Sequence, residues 1–132
     1  MHVRAASLPL IAVLALALPF GPRPVSMSFD DAAKAAAANA ATATGKAYAA
    51  EISHHVAEQH LTSLKECTSA AGEPEKTPFT LALRVGKKGL VEQVLMKPET
   101  RVAMCMARGL VKDHLKKPPT PGYWVTVTLT PQ

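Results

Sequence analysis

The chain has 132 residues, of which 48% are hydrophobic and 5% aromatic, and its formal net charge is +5 at pH 7. This length suits a single domain. Basic residues are interspersed with acidic ones instead of forming a stripe with stacking aromatic side chains, so the composition argues against a nucleic-acid-binding protein.

The first 28 residues have the character of a secretion signal. Arg4 gives a weakly basic start, an uncharged apolar run extends from Leu8 to Phe20, and a polar, proline-rich stretch follows. A membrane-spanning helix needs about 20 apolar residues, and this run is shorter. We therefore interpret 1–28 as a cleaved signal peptide and expect a periplasmic or secreted protein. An uncleaved N-terminal membrane anchor is the alternative.

Alanine dominates residues 29–45, which begin with Phe29, Asp30 and Asp31. Alanine favours helix, and acidic residues suit a helix N-terminus, yet this segment has almost nothing large to bury. It is either a frayed helix or a linker. We favour an alanine-rich linker ahead of a folded domain over 46–132.

Three strands are predicted in that domain. Residues 79–85 and 123–130 alternate apolar and polar side chains, as half-buried strands do. A glycine-containing turn at 86–89 connects the first of them to a strand over 90–97. The irregular apolar spacing in this second strand predicts a β-bulge at 92–93.

Two helices complete the predicted domain. Residues 46–67 carry apolar side chains at spacings of three and four, one face of a helix. The second helix begins at Pro98 and contains Gly109, which we expect to permit close approach of another element. The proline-rich run 118–122 is a rigid connector to the last strand.

The element order is therefore helix-strand-strand-helix-strand, an α+β fold. The hairpin is antiparallel, and the crossover through the second helix places the third strand beside the first. We expect a three-stranded antiparallel sheet in the order 2-1-3. Both helices should pack on one face, because each strand has one apolar and one polar side.

Cys67 and Cys105 each lie within a predicted helix, with the hairpin between them. In an exported chain, two cysteines fit a single disulfide that would staple both helices onto the sheet. Two separate buried thiols are the alternative.

The order of these pieces resembles the TonB-like C-terminal domain, in the cysteine-containing version that closes AgmX/PglI-type gliding-motility proteins. The resemblance runs from about Ile52 to Thr130. It is carried by Cys67, the hairpin FTLALRVGKKGLVEQVLM with its G-x-V, Cys105 after KPET, and the final VTVTL strand. It implies the same fold, a disulfide between the two cysteines, and binding of protein partners through the last strand.

The third strand is expected to be an edge of the sheet, where unpaired backbone groups let an extended peptide add a strand. No charged residue interrupts 125–130. The predicted contact surface for a protein partner of the cell envelope is Tyr123, Trp124, Val125, Thr126, Val127 and Thr128. Trp124 could instead cover the outer sheet face or the helix ends. The same edge could also pair two copies of the chain, as in a homodimeric structural component of the envelope.

No catalytic, cofactor or small-molecule motif rises above chance. His54, His55 and His60 lie near Glu51 and Glu58, but no two of these histidines have the spacing of three or four that helical metal ligands need. We therefore predict no metal site and no enzyme. A thiol or redox protein is the remaining alternative, and it would require a free, exposed cysteine near a base.

Overall fold

The computed structural model describes residues 27–71 and 76–131, so most of the predicted signal peptide lies outside the described residues. The described residues form four helices and three strands. Their bounds are α1 Phe29–Ala40, α2 Ala43–Gln59, α3 Leu61–Ala70, β1 Phe79–Val85, β2 Val91–Lys97, α4 Arg101–Leu110 and β3 Tyr123–Leu129. Within these two stretches, no helix is both long enough and apolar enough to cross a bilayer.

The sheet has the predicted topology. β1 lies in the centre and pairs antiparallel with both β2 and β3, which gives the order β2-β1-β3. Its register with β2 shifts between Arg84 and Val85, which face Gln93 and Val91, so Glu92 is the extra residue of a bulge. The predicted strand order and the predicted bulge are both confirmed.

The main core lies between one face of the sheet and the helices α2, α3 and α4. The alternation of β1 directs Phe79, Leu81, Leu83 and Val85 to this face, and all four side chains are buried. Side chains of all three helices pack against them: Tyr48, Ile52, Val56, Leu64, Cys67, Val102, Met106 and Leu110. The predicted α+β class is confirmed.

The two cysteines form the predicted disulfide. Cys67 lies in the last turn of α3 and Cys105 lies in the middle of α4, with their Cα atoms 5.7 Å apart. The bond ties these two helices to each other on the core face of the sheet.

The alanine-rich segment is a packed helix, which corrects its interpretation as a linker. Ser28 caps α1, since its Oγ accepts a hydrogen bond from the backbone N–H of Asp31. Ala32 and Ala36 are buried against Ala82 and Trp124, on the sheet face opposite the main core. Small side chains one turn apart let the helix backbone approach the sheet closely, so large apolar residues are not needed there. Helices therefore cover both faces of the sheet.

The helix predicted over 46–67 is divided at His60, which ends α2 and precedes α3. Its backbone has φ −111° and ψ 14°, outside the helical region. No glycine or proline marks this break in the sequence. The break turns the His60 side chain toward the segment that follows α4, where it meets Asp113.

The expectation for Gly109 is wrong, because a Cβ atom built on this residue would have no heavy atom within 4 Å. The close approach occurs instead at Gly45, near the start of α2. A Cβ there would lie 1.8 Å from the carbonyl oxygen of Asn39 and 2.6 Å from the hydroxyl of Tyr123. Gly45 therefore allows α2 to follow directly on α1 while both contact β3.

Candidate functional site

The chain's two cysteines are joined to each other, and neither is a free thiol. Thiolate chemistry at Cys105 would first require reduction of the bond to Cys67. In residues 27–71 and 76–131, the sheet edges and the histidines are the places where accessible polar groups gather.

The six residues predicted to contact a partner on β3 divide into buried and accessible ones. Tyr123, Val125 and Val127 are buried in the main core, and Trp124 is 6% exposed beneath α1. Thr126 is half-buried and Thr128 is exposed. Trp124 thus covers the outer sheet face, the alternative considered for it above. Judged by the exposure of these six side chains, β3 is accessible to a partner only near its end, at Thr126 and Thr128.

The backbone of β3 is partly occupied as well. The side-chain amide of Asn39 donates a hydrogen bond of 3.0 Å to the carbonyl oxygen of Trp124. This carbonyl therefore points away from β1. In an antiparallel pair, alternate residues direct both backbone groups to the partner strand or away from it. Thr126 and Thr128 thus share the outward direction of Trp124, and they are the β3 positions left for strand addition.

The same alternation identifies the outward positions of β2. Because Arg84 faces Trp124 in β3, its backbone groups point to β2 and pair with Gln93. Val94 and Met96 must then direct their backbone groups away from the sheet. At the start of the strand, Val91 also points outward, but its N–H donates to the carbonyl of Asp113 and its carbonyl accepts from Lys112, both at 2.9 Å.

An apolar groove runs beside this part of β2. The side chains of Val94 and Met96 are half-buried and form one wall. The opposite wall belongs to α4 and the residue after it: Met104, Ala107, Arg108 and Val111. Met104 is 39% exposed and Val111 is 40% exposed, so the largest exposed apolar side chains of α4 and its end border the groove. A strand added to β2 would place alternate side chains into it.

Basic side chains flank the groove. Arg108 lines the groove itself. Both Arg101 and Arg108 line a neighbouring pocket beside the disulfide. Within residues 27–71 and 76–131, neither arginine forms an ion pair with a carboxylate. The groove therefore combines apolar walls with positive charge.

The histidines form two separate arrangements. His54 is exposed and lies 3.2 Å from Glu58 on the same helix. His55 and His60 lie close together, with ring centroids 6.3 Å apart, because the helix breaks between α2 and α3. His60 Nε2 is 2.8 Å from Asp113 Oδ2. Asp113 was not among the residues that the sequence singled out, since its partner lies 53 positions away.

Tyr48 anchors the connector that leads to β3. Its hydroxyl donates to the carbonyl of Lys116 at 2.9 Å, and its ring packs edge-on against Tyr123 at 5.2 Å. Burial, then the neighbouring Tyr123 and Glu51, raises the pKa of Tyr48 to about 12. This phenol is therefore neutral at physiological pH and acts as a hydrogen-bond donor. Glu51 also pairs with the ammonium group of Lys116 at 2.7 Å.

Comparisons of the chain with family models, with curated proteins and with solved structures give no match. The TonB-like resemblance therefore stays a prediction from the sequence.

Proposed function

We propose that this chain is an exported, non-catalytic protein-binding module of TonB-like fold, which captures an extended segment of a partner protein by strand addition. The proposal is supported by the predicted secretion signal, by the disulfide, which suits an oxidising compartment, and by a sheet with edges on β2 and β3. The observation that carries it is the apolar groove beside the outward-facing backbone of Val94 and Met96.

Strand addition needs unpaired backbone groups for affinity and pockets for alternate side chains for specificity. The β2 edge offers both, since the outward groups of Val94 and Met96 adjoin the groove against α4. The β3 edge offers Thr126 and Thr128, next to a carbonyl that Asn39 already occupies. We therefore place the principal binding edge on β2. The β3 edge, which the sequence indicated, is the second candidate because Thr128 is exposed.

The occupant that fits the β2 edge is an extended segment with apolar side chains at alternate positions and acidic residues beside them. The apolar positions would fill the groove at Met104 and Val111. The carboxylates would pair with Arg108 and Arg101. A second copy fits less well, because a twofold pairing through β2 would bring the α4 helices, with the same arginines, toward each other.

Paired proline substitutions distinguish the two edges. Val94→Pro removes an N–H that points out of the sheet, and proline is tolerated at such edge positions. Thr126→Pro is the matched change on β3. The ligands are displayed peptides with alternating apolar and acidic residues, selected on the oxidised protein, and affinity is measured by fluorescence anisotropy. Circular dichroism and intact mass confirm that each variant is folded and oxidised.

We expect Val94→Pro to weaken peptide binding by at least about tenfold, since it removes a hydrogen bond and obstructs the guest strand. Thr126→Pro should leave the affinity unchanged, and Arg108→Glu should weaken the acidic peptides selectively. If Thr126→Pro weakens peptide binding and Val94→Pro does not, the site lies on β3. Binding that survives both proline variants would refute strand addition. A dimer in sedimentation velocity that Val94→Pro abolishes would assign the β2 edge to a second copy.

A further inference from the structure

Three metal-ligating side chains from separate parts of the chain meet at the junction of α2 and α3. His55 comes from the last turns of α2, His60 from the break, and Asp113 from the segment after α4. One ligand atom of each residue lies within 4.8 Å of the other two. All three residues are partly buried, and the side chains of His60 and Asp113 are 15% and 29% exposed. Solvent and an ion can therefore reach the cluster.

The segment that carries Asp113 is held on both sides. Its backbone N–H donates to the carbonyl of Leu110 at 3.0 Å, and its carbonyl accepts from Val91 at 2.9 Å. Its Oδ1 accepts from the backbone N–H of His114 at 2.9 Å, which orients Oδ2 toward His60. Carboxylates that bind metals in proteins are themselves usually held by hydrogen bonds, as the bond from His114 holds Asp113.

We propose that His55, His60 and Asp113 form a binding site for a divalent transition metal ion of the Zn²⁺ type. Two imidazole nitrogens and one carboxylate oxygen are ligands that zinc prefers, and three protein ligands leave a fourth position for water. Neither the sequence pattern nor the proposed strand addition requires this site. The bound ion would join the α2–α3 junction to the segment that pairs with Val91.

The geometry needs only a local adjustment. Tetrahedral zinc has bonds of about 2.0–2.2 Å, which places neighbouring ligand atoms about 3.4 Å apart. The present distance between His60 Nε2 and Asp113 Oδ2 is 2.8 Å, so these atoms would separate slightly to admit the ion. The three ligand atoms all lie within 4.8 Å of one another, so a shift of at most about 1.4 Å in any pair would reach the tetrahedral spacing.

The test is calorimetric titration of Zn²⁺ into the oxidised chain, purified without a polyhistidine tag. The visible spectrum of the Co²⁺ form reports the coordination geometry. Ligand variants are His55→Ala, His60→Gln and Asp113→Asn. His54→Ala is the matched control, because His54 lies beside His55 on the same helix but pairs with Glu58 on the exposed surface.

We expect one equivalent of Zn²⁺ to bind, with a tetrahedral Co²⁺ spectrum. Each ligand variant should lose at least about tenfold in affinity, the lower end of the loss seen when residues that merely support a ligand are changed. His54→Ala should bind zinc as the wild type does. The proposal is overturned by a wild type that binds no zinc, by equal binding in His55→Ala, or by an equal loss in His54→Ala. If Asp113→Asn or His60→Gln fails to fold, the zinc affinity of His55→Ala tests the proposal alone. This variant leaves the hydrogen bond between His60 and Asp113 intact.

Discussion

Reduction of the disulfide between Cys67 and Cys105 should lower the free energy of unfolding by about 4 kcal/mol. The cysteines are 38 positions apart in the sequence. For a closed loop of that length, the chain-entropy relation gives about 13 cal/mol/K, or about 4 kcal/mol at 25 °C. Domains of this size are stable by about 5–15 kcal/mol, so the bond supplies a quarter or more of the total. The midpoint of thermal unfolding should fall by about 15–30 °C.

Urea denaturation of the wild type with and without reductant measures this contribution, followed by circular dichroism and by fluorescence of Trp124, the chain's single tryptophan. The double variant Cys67→Ala and Cys105→Ala is the control. It should resemble the reduced wild type and respond to no reductant, which separates loss of the cross-link from loss of the sulfur atoms. Equal unfolding midpoints for the oxidised and reduced wild type would refute the reasoning.

Three further predictions concern packing and ionisation. Trp124→Ala should lower the free energy of unfolding by about 3–5 kcal/mol and expose α1 to protease, because the indole is buried between that helix and the sheet. A decrease below about 1 kcal/mol in urea denaturation would contradict this packing. Gly109→Ala should stabilise the protein by about 0.5–1 kcal/mol in the same assay, because a Cβ atom there meets no heavy atom within 4 Å. Gly45→Ala should destabilise it by about 1–3 kcal/mol, because a Cβ atom there would lie 1.8 Å from the carbonyl oxygen of Asn39. The opposite signs would show that the contacts are misassigned. The raised pKa of Tyr48 means that the native state holds its phenolic proton more tightly than the unfolded chain does. Its contribution to stability is therefore constant below pH 10 and is lost between pH 10 and 12, by about 2–3 kcal/mol. Denaturation across this range should show that loss in the wild type but not in Tyr48→Phe; identical pH profiles would exclude the effect.

The strands and the disulfide could be predicted because their signals are local. Alternation along 79–85 and 123–130 predicts β1 and β3, and the irregular spacing near Glu92 predicts the bulge. The chain has two cysteines, so only one disulfide can form within it. The strands follow from the periodicity of apolar residues, and the disulfide follows from the number of cysteines. Neither prediction needs knowledge of tertiary contacts.

The role of α1 could not be predicted, because alanine favours helix whether or not the helix is buried. The burial of Ala32 and Ala36 depends on an indole more than 80 positions away, which α1 covers. The break at His60 is equally hidden, since neither glycine nor proline marks it. The cluster at Asp113 follows from that break. Sequence spacing on a continuous helix would keep His55 and His60 apart, and the structure brings them together.

The choice of binding edge also required the structure. The sequence indicates that Val94 and Met96 lie in a strand, but their outward backbone direction follows from the contact between Asn39 and Trp124 on the far strand. The groove beside them depends on where α4 lies. A sequence interpretation therefore favoured the last strand, whose aromatic residues are the conspicuous ones.

Backbone amide hydrogen exchange, followed by NMR in the free and the peptide-bound protein, tests the strand-addition mechanism most directly. Our account predicts rapid exchange at Val94 and Met96 in the free protein, because their N–H groups face solvent, and slowing of at least about tenfold when a peptide pairs with them. The amides of Thr126 and Thr128 should not change. Protection confined to those two threonines, or no protection at either strand, would contradict the account.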